Sequence, residues 1–107
     1  MLIMNVNILN SRKISEMVKN NEFKLIIDLR EEELYLVGHL PEAVNIPTGE
    51  INDNLEHIRS ITNEGILLYC ANGNQSVTVG KVLLLDGFNN IYSLANGIKN
   101  YKYELYK

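Results

Sequence analysis

The sequence contains a single cysteine, Cys70, among 107 residues. One thiol cannot form an internal disulfide, so the fold is not held together by cross-links. Paired cysteines, which would indicate an oxidising compartment, are missing as well. We therefore expect a cytoplasmic protein.

Basic clusters and long apolar runs are also missing. The formal net charge is -3 and no basic run accompanies it, so electrostatics give no reason to expect a nucleic acid or an anionic membrane as a partner. No apolar run approaches the roughly 20 residues that span a bilayer. The opening stretch MLIMNVNILN is partly apolar, but asparagines interrupt it and no basic region precedes it, so we expect no secretory signal.

Length and composition are those of an ordinary globular domain. Hydrophobic residues make up 46% and charged residues 21% of the chain, and a chain of this length has room for one core. No linker, internal repeat or low-complexity segment interrupts it. We predict a single domain over residues 1–107.

Apolar residues alternate between helix-like and strand-like spacing along the chain. Ser11 is a possible cap of the first helix, and Gly87 a left-handed cap of the third. The predicted strands are residues 25–27, 43–46, 66–69 and 91–94. The predicted helices carry the apolar groups Ile14, Met17 and Val18; Ile51, Leu55 and Ile58; Val79, Val82 and Leu83; and Ile98, Tyr101 and Leu105.

Strands that are apolar throughout and separated by helices are typical of an α/β fold, here a small parallel sheet flanked by helices on both faces. In such sheets the chemistry collects at the carboxyl ends of the strands. Asp28, followed by Arg30, and Cys70 stand at two of these ends.

The stretch after Cys70, ANGNQS, carries no charge and leads into a helix at Ser76. Gly and Asn tolerate the positive φ angles of a tight loop, which can point several backbone N–H groups inward. Such a nest, together with the positive end of the helix dipole, favours an anion at the Cys70 sulfur. A lone cysteine at the end of a buried strand is more often an inert core residue, and the loop favours a reactive thiol.

Three stretches of the sequence carry motif residues at fixed spacing. They are DLREEELYLVGHLPEAVNIP, residues 28–47, with ten such positions; LLYCANGNQS, which holds the cysteine; and LLLDGFNNIYSLANGI further on. The motif residues are Asp28, Arg30, Tyr35, Gly38, His39, Leu40, Pro41, Ala43, Ile46 and Pro47; Cys70, Gly73 and Ser76; and Gly87, Phe88, Leu94 and Gly97. Through these residues the chain resembles the rhodanese domain family along nearly its whole length.

The resemblance implies sulfur transfer without a cofactor. Cys70 would take the outer sulfur of thiosulfate or of a persulfide, from a small-molecule or protein donor, and pass it to a thiol or other acceptor. The loop would hold the resulting persulfide, which is covalent catalysis by a stabilised thiolate. The implied substrate-binding residues are Ala71, Asn72, Gly73, Asn74, Gln75 and Ser76.

The sequence departs from the family pattern in the same loop. Active members usually carry a basic residue where this chain has Ala71 and an arginine where it has Gln75. An arginine there would bind the sulfonate of thiosulfate through charge-assisted hydrogen bonds. Further departures are Leu34, Glu42 and Tyr101 in place of an acidic residue, a glycine and a tryptophan.

Two functions remain open from the sequence. The first is a sulfurtransferase that uses persulfide donors better than thiosulfate. The second is a rhodanese-like module that has lost catalysis and serves in binding or regulation. Phosphatase activity ranks last, because it needs a longer loop and the arginine that Gln75 replaces.

Three residues outside the loop are expected to support the site. Asp28 and Arg30 form a partly buried ion pair that orders the loops at the strand ends. The ring of His39 is expected to tie down the turn before Pro41 rather than to bind a metal, because no second ligand stands at metal spacing.

Gly80 is expected where the helix packs closely on the sheet, and the tyrosines at 101, 103 and 106 are expected to cover an edge of the core.

Overall fold

The computed structural model describes residues 5–107, which form a five-stranded parallel sheet with helices. The strands are β1 (Asn7–Leu9), β2 (Leu25–Asp28), β3 (Val44–Asn45), β4 (Glu64–Tyr69) and β5 (Asn89–Leu94). The helices are α1 (Ser11–Lys19), α2 (Glu32–Val37), α3 (Leu55–Ile61) and α4 (Asn74–Leu85), and 3₁₀ turns cover Thr48–Glu50, Asn52–Asn54 and Ile98–Asn100. The predicted α/β class is confirmed. The stretch MLIMNVNILN, in which we expect no secretory signal, covers residues 1–10. Its first four residues lie outside the described part of the chain.

The strand order is β1-β5-β4-β2-β3, and every pair is parallel. The register places Asp28 of β2 beside Tyr69 of β4, and Leu68 of β4 beside Ser93 of β5. The carboxyl ends of the three central strands therefore meet at one edge of the sheet. Cys70 follows β4 directly and stands at that edge.

The core of the described part of the chain consists of two apolar clusters, one on each face of the sheet. One contains Ile27 and Leu68 together with Leu83 of α4. The other contains Tyr69 together with Ile14 of α1. Neighbouring residues of β4 thus enter opposite clusters, as the alternation of side chains along a strand requires, and both faces are covered as predicted.

Helix starts and packing positions differ in detail from the predictions. Asn10, not Ser11, caps α1, because its Oδ1 accepts a hydrogen bond from the Lys13 N–H at 2.8 Å. Val82 is exposed, and Leu84 is buried in its place. Gly87 follows the α4 C-cap with φ of 96°, which confirms the predicted left-handed cap.

Gly80 confirms the predicted close approach of α4 to the sheet. A Cβ at this position would lie 2.7 Å from Val6 Cγ2 and 3.3 Å from Ile91 Cγ2. A larger residue would push α4 away from the strands that it covers.

The prediction of a final helix over Ile98, Tyr101 and Leu105 is wrong. Only a 3₁₀ turn forms at Ile98–Asn100, and residues 101–107 are irregular apart from a bridge at Tyr106. Tyr106 pairs with His39 through two backbone hydrogen bonds of 2.7 and 2.8 Å, which take the place of helical ones. Tyr101 is buried and so covers the core as predicted, whereas Tyr103 and Tyr106 are 46% and 48% exposed, which contradicts the prediction for these two.

Two elements, β1 and α2, were not predicted. β1 has three residues and lies at an edge of the sheet, and α2 buries none of its residues. Neither has a buried apolar face of its own. Their sequences therefore lack the regular spacing of apolar residues by which helices and strands are predicted. Tyr35 attaches α2 to the fold by donating a hydrogen bond to the Ala43 carbonyl at 2.7 Å.

Ile51 lies in the 3₁₀ region before α3 rather than in that helix. Among residues 5–107, no helix is long and apolar enough to cross a membrane.

Candidate active site

The Cys70 thiol lies at the carboxyl end of β4 and is 1% exposed. Two backbone N–H groups point at its sulfur, from Gly73 at 3.2 Å and from Ser76 at 3.4 Å. Both donors belong to the loop that leads into α4 and to its first turn, where the helix dipole is positive. The arrangement is a small anion site built from backbone groups around a buried sulfur.

Gly73 gives the loop its shape. Its φ is 98°, in the left-handed region that glycine adopts without strain, and α4 begins directly after it. Asn72 reinforces the turn, because its Oδ1 accepts a hydrogen bond from the Asn74 N–H at 3.1 Å. A side chain at Gly73 would also crowd the neighbouring loop, since a Cβ there would lie 3.0 Å from the Asn96 nitrogen.

The loop after β5 supports the cysteine loop from behind. The N–H groups of Ile98 and Lys99 donate to the carbonyls of Cys70 and Ala71 at 3.0 and 3.1 Å. These hydrogen bonds satisfy the two carbonyls and hold the backbone of the cysteine loop in place. Gly97 allows the approach, because a Cβ there would lie 2.5 Å from the Asn72 nitrogen and closer still to the Ala71 carbonyl.

A buried pair of serines lies beside the sulfur. Ser76 and Ser93 are both 0% exposed, and their hydroxyl oxygens are 2.6 Å apart. The Ser76 oxygen also lies 3.6 Å from the Cys70 sulfur and 3.3 Å from the Gly73 carbonyl oxygen. Ser93 was not among the predicted site residues; its only sequence signal is a serine inside an otherwise apolar strand end.

Gln75 lies on the exposed side of the loop. Its Oε1 accepts a hydrogen bond from Thr48 Oγ1 at 3.2 Å, which ties the first turn of α4 to the 3₁₀ turn after β3. Asn72 and Asn74 are exposed as well, and Ala71 is half-buried. Thr48 was not predicted, because it stands 27 positions from its partner.

The structure contains the predicted ion pair of Asp28 and Arg30. Arg30 Nη2 lies 2.7 Å from Asp28 Oδ2, with side-chain exposures of 11% and 0%. The same nitrogen donates to the Gly38 carbonyl at 2.6 Å. Burial alone would lower the pKa of Arg30, but the hydrogen bonds and the negative charge of Asp28 raise it above its ordinary value. The guanidinium therefore joins the end of β2 to the Gly38 turn through its hydrogen bonds to Asp28 and to the Gly38 carbonyl.

Tyr69 connects this ion pair to the strand that carries the cysteine. Its ring is buried under the Arg30 guanidinium, at 5.9 Å from the ring centroid. Its hydroxyl oxygen accepts a hydrogen bond from the Leu40 N–H at 3.0 Å. Burial, and then the nearby Asp28 carboxylate, raise the pKa of Tyr69, which keeps its hydroxyl neutral.

His39 holds the turn before Pro41, as expected. Its Nδ1 lies 2.9 Å from the Leu40 carbonyl oxygen, a contact that needs the proton on Nδ1. Its ring stacks on Tyr35 at a centroid distance of 4.1 Å. Within residues 5–107, no three His, Cys, Asp or Glu side chains are grouped so that they could hold a metal ion.

Comparison with known proteins assigns the family. A family model described as Rhodanese-like domain matches residues 11–104. The chain therefore belongs to the rhodanese-like domain family, as its motifs indicated.

Curated relatives share about a quarter of their aligned residues with this chain. The tRNA uridine(34) hydroxylase of Buchnera aphidicola subsp. Baizongia pistaciae is 27% identical over 97 residues, which cover 87% of this chain and 31% of the relative. The protein of the same name from Hamiltonella defensa is 28% identical and covers 87% of this chain and 27% of the relative. The chain thus spans less than a third of the length of these two relatives.

Solved structures of similar length share the fold. A rhodanese-like domain protein from Staphylococcus aureus superposes with a TM-score of 0.80 at 22% identity, covering 94% of this chain and 97% of that one. A human single-domain sulfurtransferase superposes with a TM-score of 0.75 at 15% identity, covering 90% and 95%.

Proposed function

We propose that the protein transfers sulfane sulfur through a persulfide on Cys70. The observation that supports this most directly is the pair of backbone N–H groups at 3.2 and 3.4 Å from the Cys70 sulfur. Fixed donors around a nucleophile favour its charged form and need no reorganisation during the reaction. The same donors suit a persulfide anion at this position.

The reaction consists of two displacements at sulfur. In the first, the Cys70 thiolate attacks the outer sulfur of the donor; a new S–S bond forms, and the donor's bond to that sulfur breaks. The electron pair leaves with the donor, as sulfite from thiosulfate or as a thiolate from a persulfide. In the second, an acceptor thiolate attacks the outer sulfur of the Cys70 persulfide, takes it, and regenerates the Cys70 thiolate.

We propose a persulfide rather than thiosulfate as the preferred donor. Thiosulfate carries two negative charges and needs donors that replace its hydration. Residues 71–76 bring no charged side chain, and Gln75 offers one neutral amide. Arg30 cannot substitute for a loop arginine while it holds Asp28 and the Gly38 carbonyl. A persulfide donor needs less anion recognition.

The alternative is a rhodanese-like module without catalysis, which the missing loop cations favour. The names of the curated relatives add tRNA as a possible substrate, but they belong to proteins of which this chain matches less than a third. A net charge of -3 gives this chain no electrostatic attraction for tRNA. We assign no tRNA contact to the domain.

The experiment measures protein-bound sulfur that cyanide releases. The wild-type protein and Cys70→Ser are incubated with thiosulfate, inorganic polysulfide or glutathione persulfide, desalted and treated with cyanide. We expect sulfur on the wild type with at least one donor and none on Cys70→Ser. Thermal unfolding of the variant serves as the control, and its midpoint should stay within a few degrees of wild type, because serine preserves the shape of the side chain. Wild-type protein that acquires no sulfur from any of the three donors would refute the proposed function and favour the non-catalytic module.

A further inference from the structure

Ser93 is the buried polar residue nearest the site whose role the sulfur chemistry above leaves unassigned. It lies on β5, is 0% exposed, and its hydroxyl oxygen is 2.6 Å from that of Ser76. Ser76 in turn lies 3.6 Å from the Cys70 sulfur. Ser93 is therefore one hydroxyl removed from the nucleophile.

The direction of the hydrogen bond between the serines follows from counting protons. Each hydroxyl has one proton to donate. Within the part of the chain that the structure describes, the Ser93 hydroxyl has no hydrogen-bond partner other than Ser76. A buried hydroxyl without an acceptor is costly, so the Ser93 proton is donated to the Ser76 oxygen.

This direction decides where the Ser76 proton points. Since Ser76 accepts from Ser93, its own proton is available for the Gly73 carbonyl oxygen at 3.3 Å or for the Cys70 sulfur at 3.6 Å. When Cys70 is a thiol, its S–H can donate to the Ser76 oxygen. The Ser76 hydroxyl then keeps its own hydrogen bond to the Gly73 carbonyl oxygen. When the sulfur is charged, the Ser76 hydroxyl can turn and donate to it, as a third donor beside the two backbone N–H groups.

We propose that Ser93 is a positioning residue that aims the Ser76 hydroxyl at the charged sulfur of Cys70. The proposal rests on the sulfur transfer proposed above. Without Ser93, the Ser76 hydroxyl loses the donor that fixes its orientation. It then rotates among its acceptors and stabilises the charged sulfur less well.

The test is a double-mutant cycle with Ser93→Ala, Ser76→Ala and the double variant. For the persulfide donor, we expect Ser93→Ala to lower kcat on the order of tenfold and to leave KM unchanged, because the change is at the reacting sulfur. Ser76→Ala should lower kcat at least as much. In the Ser76→Ala background, Ser93→Ala should add nothing, because Ser93 acts through Ser76.

Two further variants separate positioning from packing. Ser15→Ala removes a buried hydroxyl bonded to the Arg12 carbonyl on α1, and should leave kcat unchanged. Ser93→Thr keeps the hydroxyl and should recover most of the rate. The rate of Cys70 alkylation by iodoacetamide at pH 7, which needs no sulfur donor, should fall several-fold in Ser93→Ala.

The outcomes distinguish this proposal from the proposed function. If Ser93→Ala keeps the kcat and the alkylation rate of the wild type, the positioning role is overturned. It is also overturned if adding Ser93→Ala to Ser76→Ala lowers kcat further. Slower alkylation in Ser93→Ala, in a protein that accepts no sulfur, would support the positioning role and refute sulfur transfer.

Discussion

The charge of the reacting sulfur is balanced in this protein by backbone groups. Gly73 and Ser76 supply N–H donors at 3.2 and 3.4 Å, and the exposed side chain beside them, Gln75, is neutral. A backbone nest of this size holds one sulfur atom. It leaves the distal part of a donor, such as a sulfonate, without a charged partner.

Gln75→Arg should therefore change donor preference. We expect it to raise kcat/KM for thiosulfate by tenfold to a hundredfold, on the order of what one charge-assisted contact of roughly 1.5–3 kcal/mol provides. Steady-state rates with thiosulfate and with glutathione persulfide measure the effect, and the persulfide rate should change much less.

Gln75→Met is the matched control for this variant, because it removes the contact with Thr48 and adds no charge. It should not raise the thiosulfate rate. If the wild type already uses thiosulfate well and the arginine adds nothing, another cation reaches the site and the donor preference proposed here is wrong.

At the scale of elements, the site depends on the contact between two loops, residues 71–73 after β4 and residues 95–97 after β5. Gly97→Ala should separate them, because its φ is 70° and the new Cβ would overlap the Ala71 carbonyl. A left-handed non-glycine residue alone costs about 1–3 kcal/mol, and the overlap adds to that. Chemical denaturation should show this loss, and sulfur transfer should fall with it, because the N–H groups leave the sulfur.

Gly49→Ala is the control for Gly97→Ala. Among residues 5–107, no atom lies within 4 Å of a Cβ at Gly49. The free energy of unfolding of Gly49→Ala should therefore match the wild type within about 0.5 kcal/mol, and its rate of sulfur transfer should be unchanged. Equal stability of the two alanine variants would show that the loops do not interlock as described.

The long apolar elements could be predicted from the sequence because their side chains point into the core at a regular spacing. The final helix was predicted wrongly, because Leu105 has helical spacing but Tyr106 pairs with His39, which lies 67 positions earlier. The cysteine loop could be predicted because Cys70, Gly73 and Ser76 are close in sequence. The contacts of Ser93 and Thr48 join residues 17 and 27 positions apart, and no local pattern encodes them.

At the scale of the whole molecule, buried tyrosines make the free energy of unfolding depend on pH in the alkaline range. Burial, and then the nearby charges, raise the pKa of Tyr101 to about 12, and the pKa of Tyr69 is raised as well. The unfolded chain ionises near the ordinary value of 10.0, so the folded state favours the neutral form. The free energy of unfolding should therefore be full below about pH 10 and decrease as the pH rises toward 12.

Urea denaturation at several pH values between 8 and 11.5 measures this decrease. Tyr101→Phe should make the decrease shallower, whereas Tyr106→Phe, at a half-exposed position, should leave it as in the wild type. The same slope for wild type and Tyr101→Phe would contradict the account of Tyr101.

The size of the functional protein is a separate question at this scale. The prediction of a single domain over residues 1–107 stays a prediction, and the curated relatives are more than three times as long as the part that matches. The family match over residues 11–104 nevertheless includes every residue of the proposed site.

The intact mass of the protein after incubation with sulfur donors tests the central claim most directly. The account predicts that glutathione persulfide adds the mass of one sulfur atom to the wild type, that dithiothreitol removes it, and that thiosulfate adds it less completely. Cys70→Ser, which has no thiol, should keep its mass with every donor. An unchanged wild-type mass with all donors, or a sulfur adduct that persists in Cys70→Ser, would contradict the account.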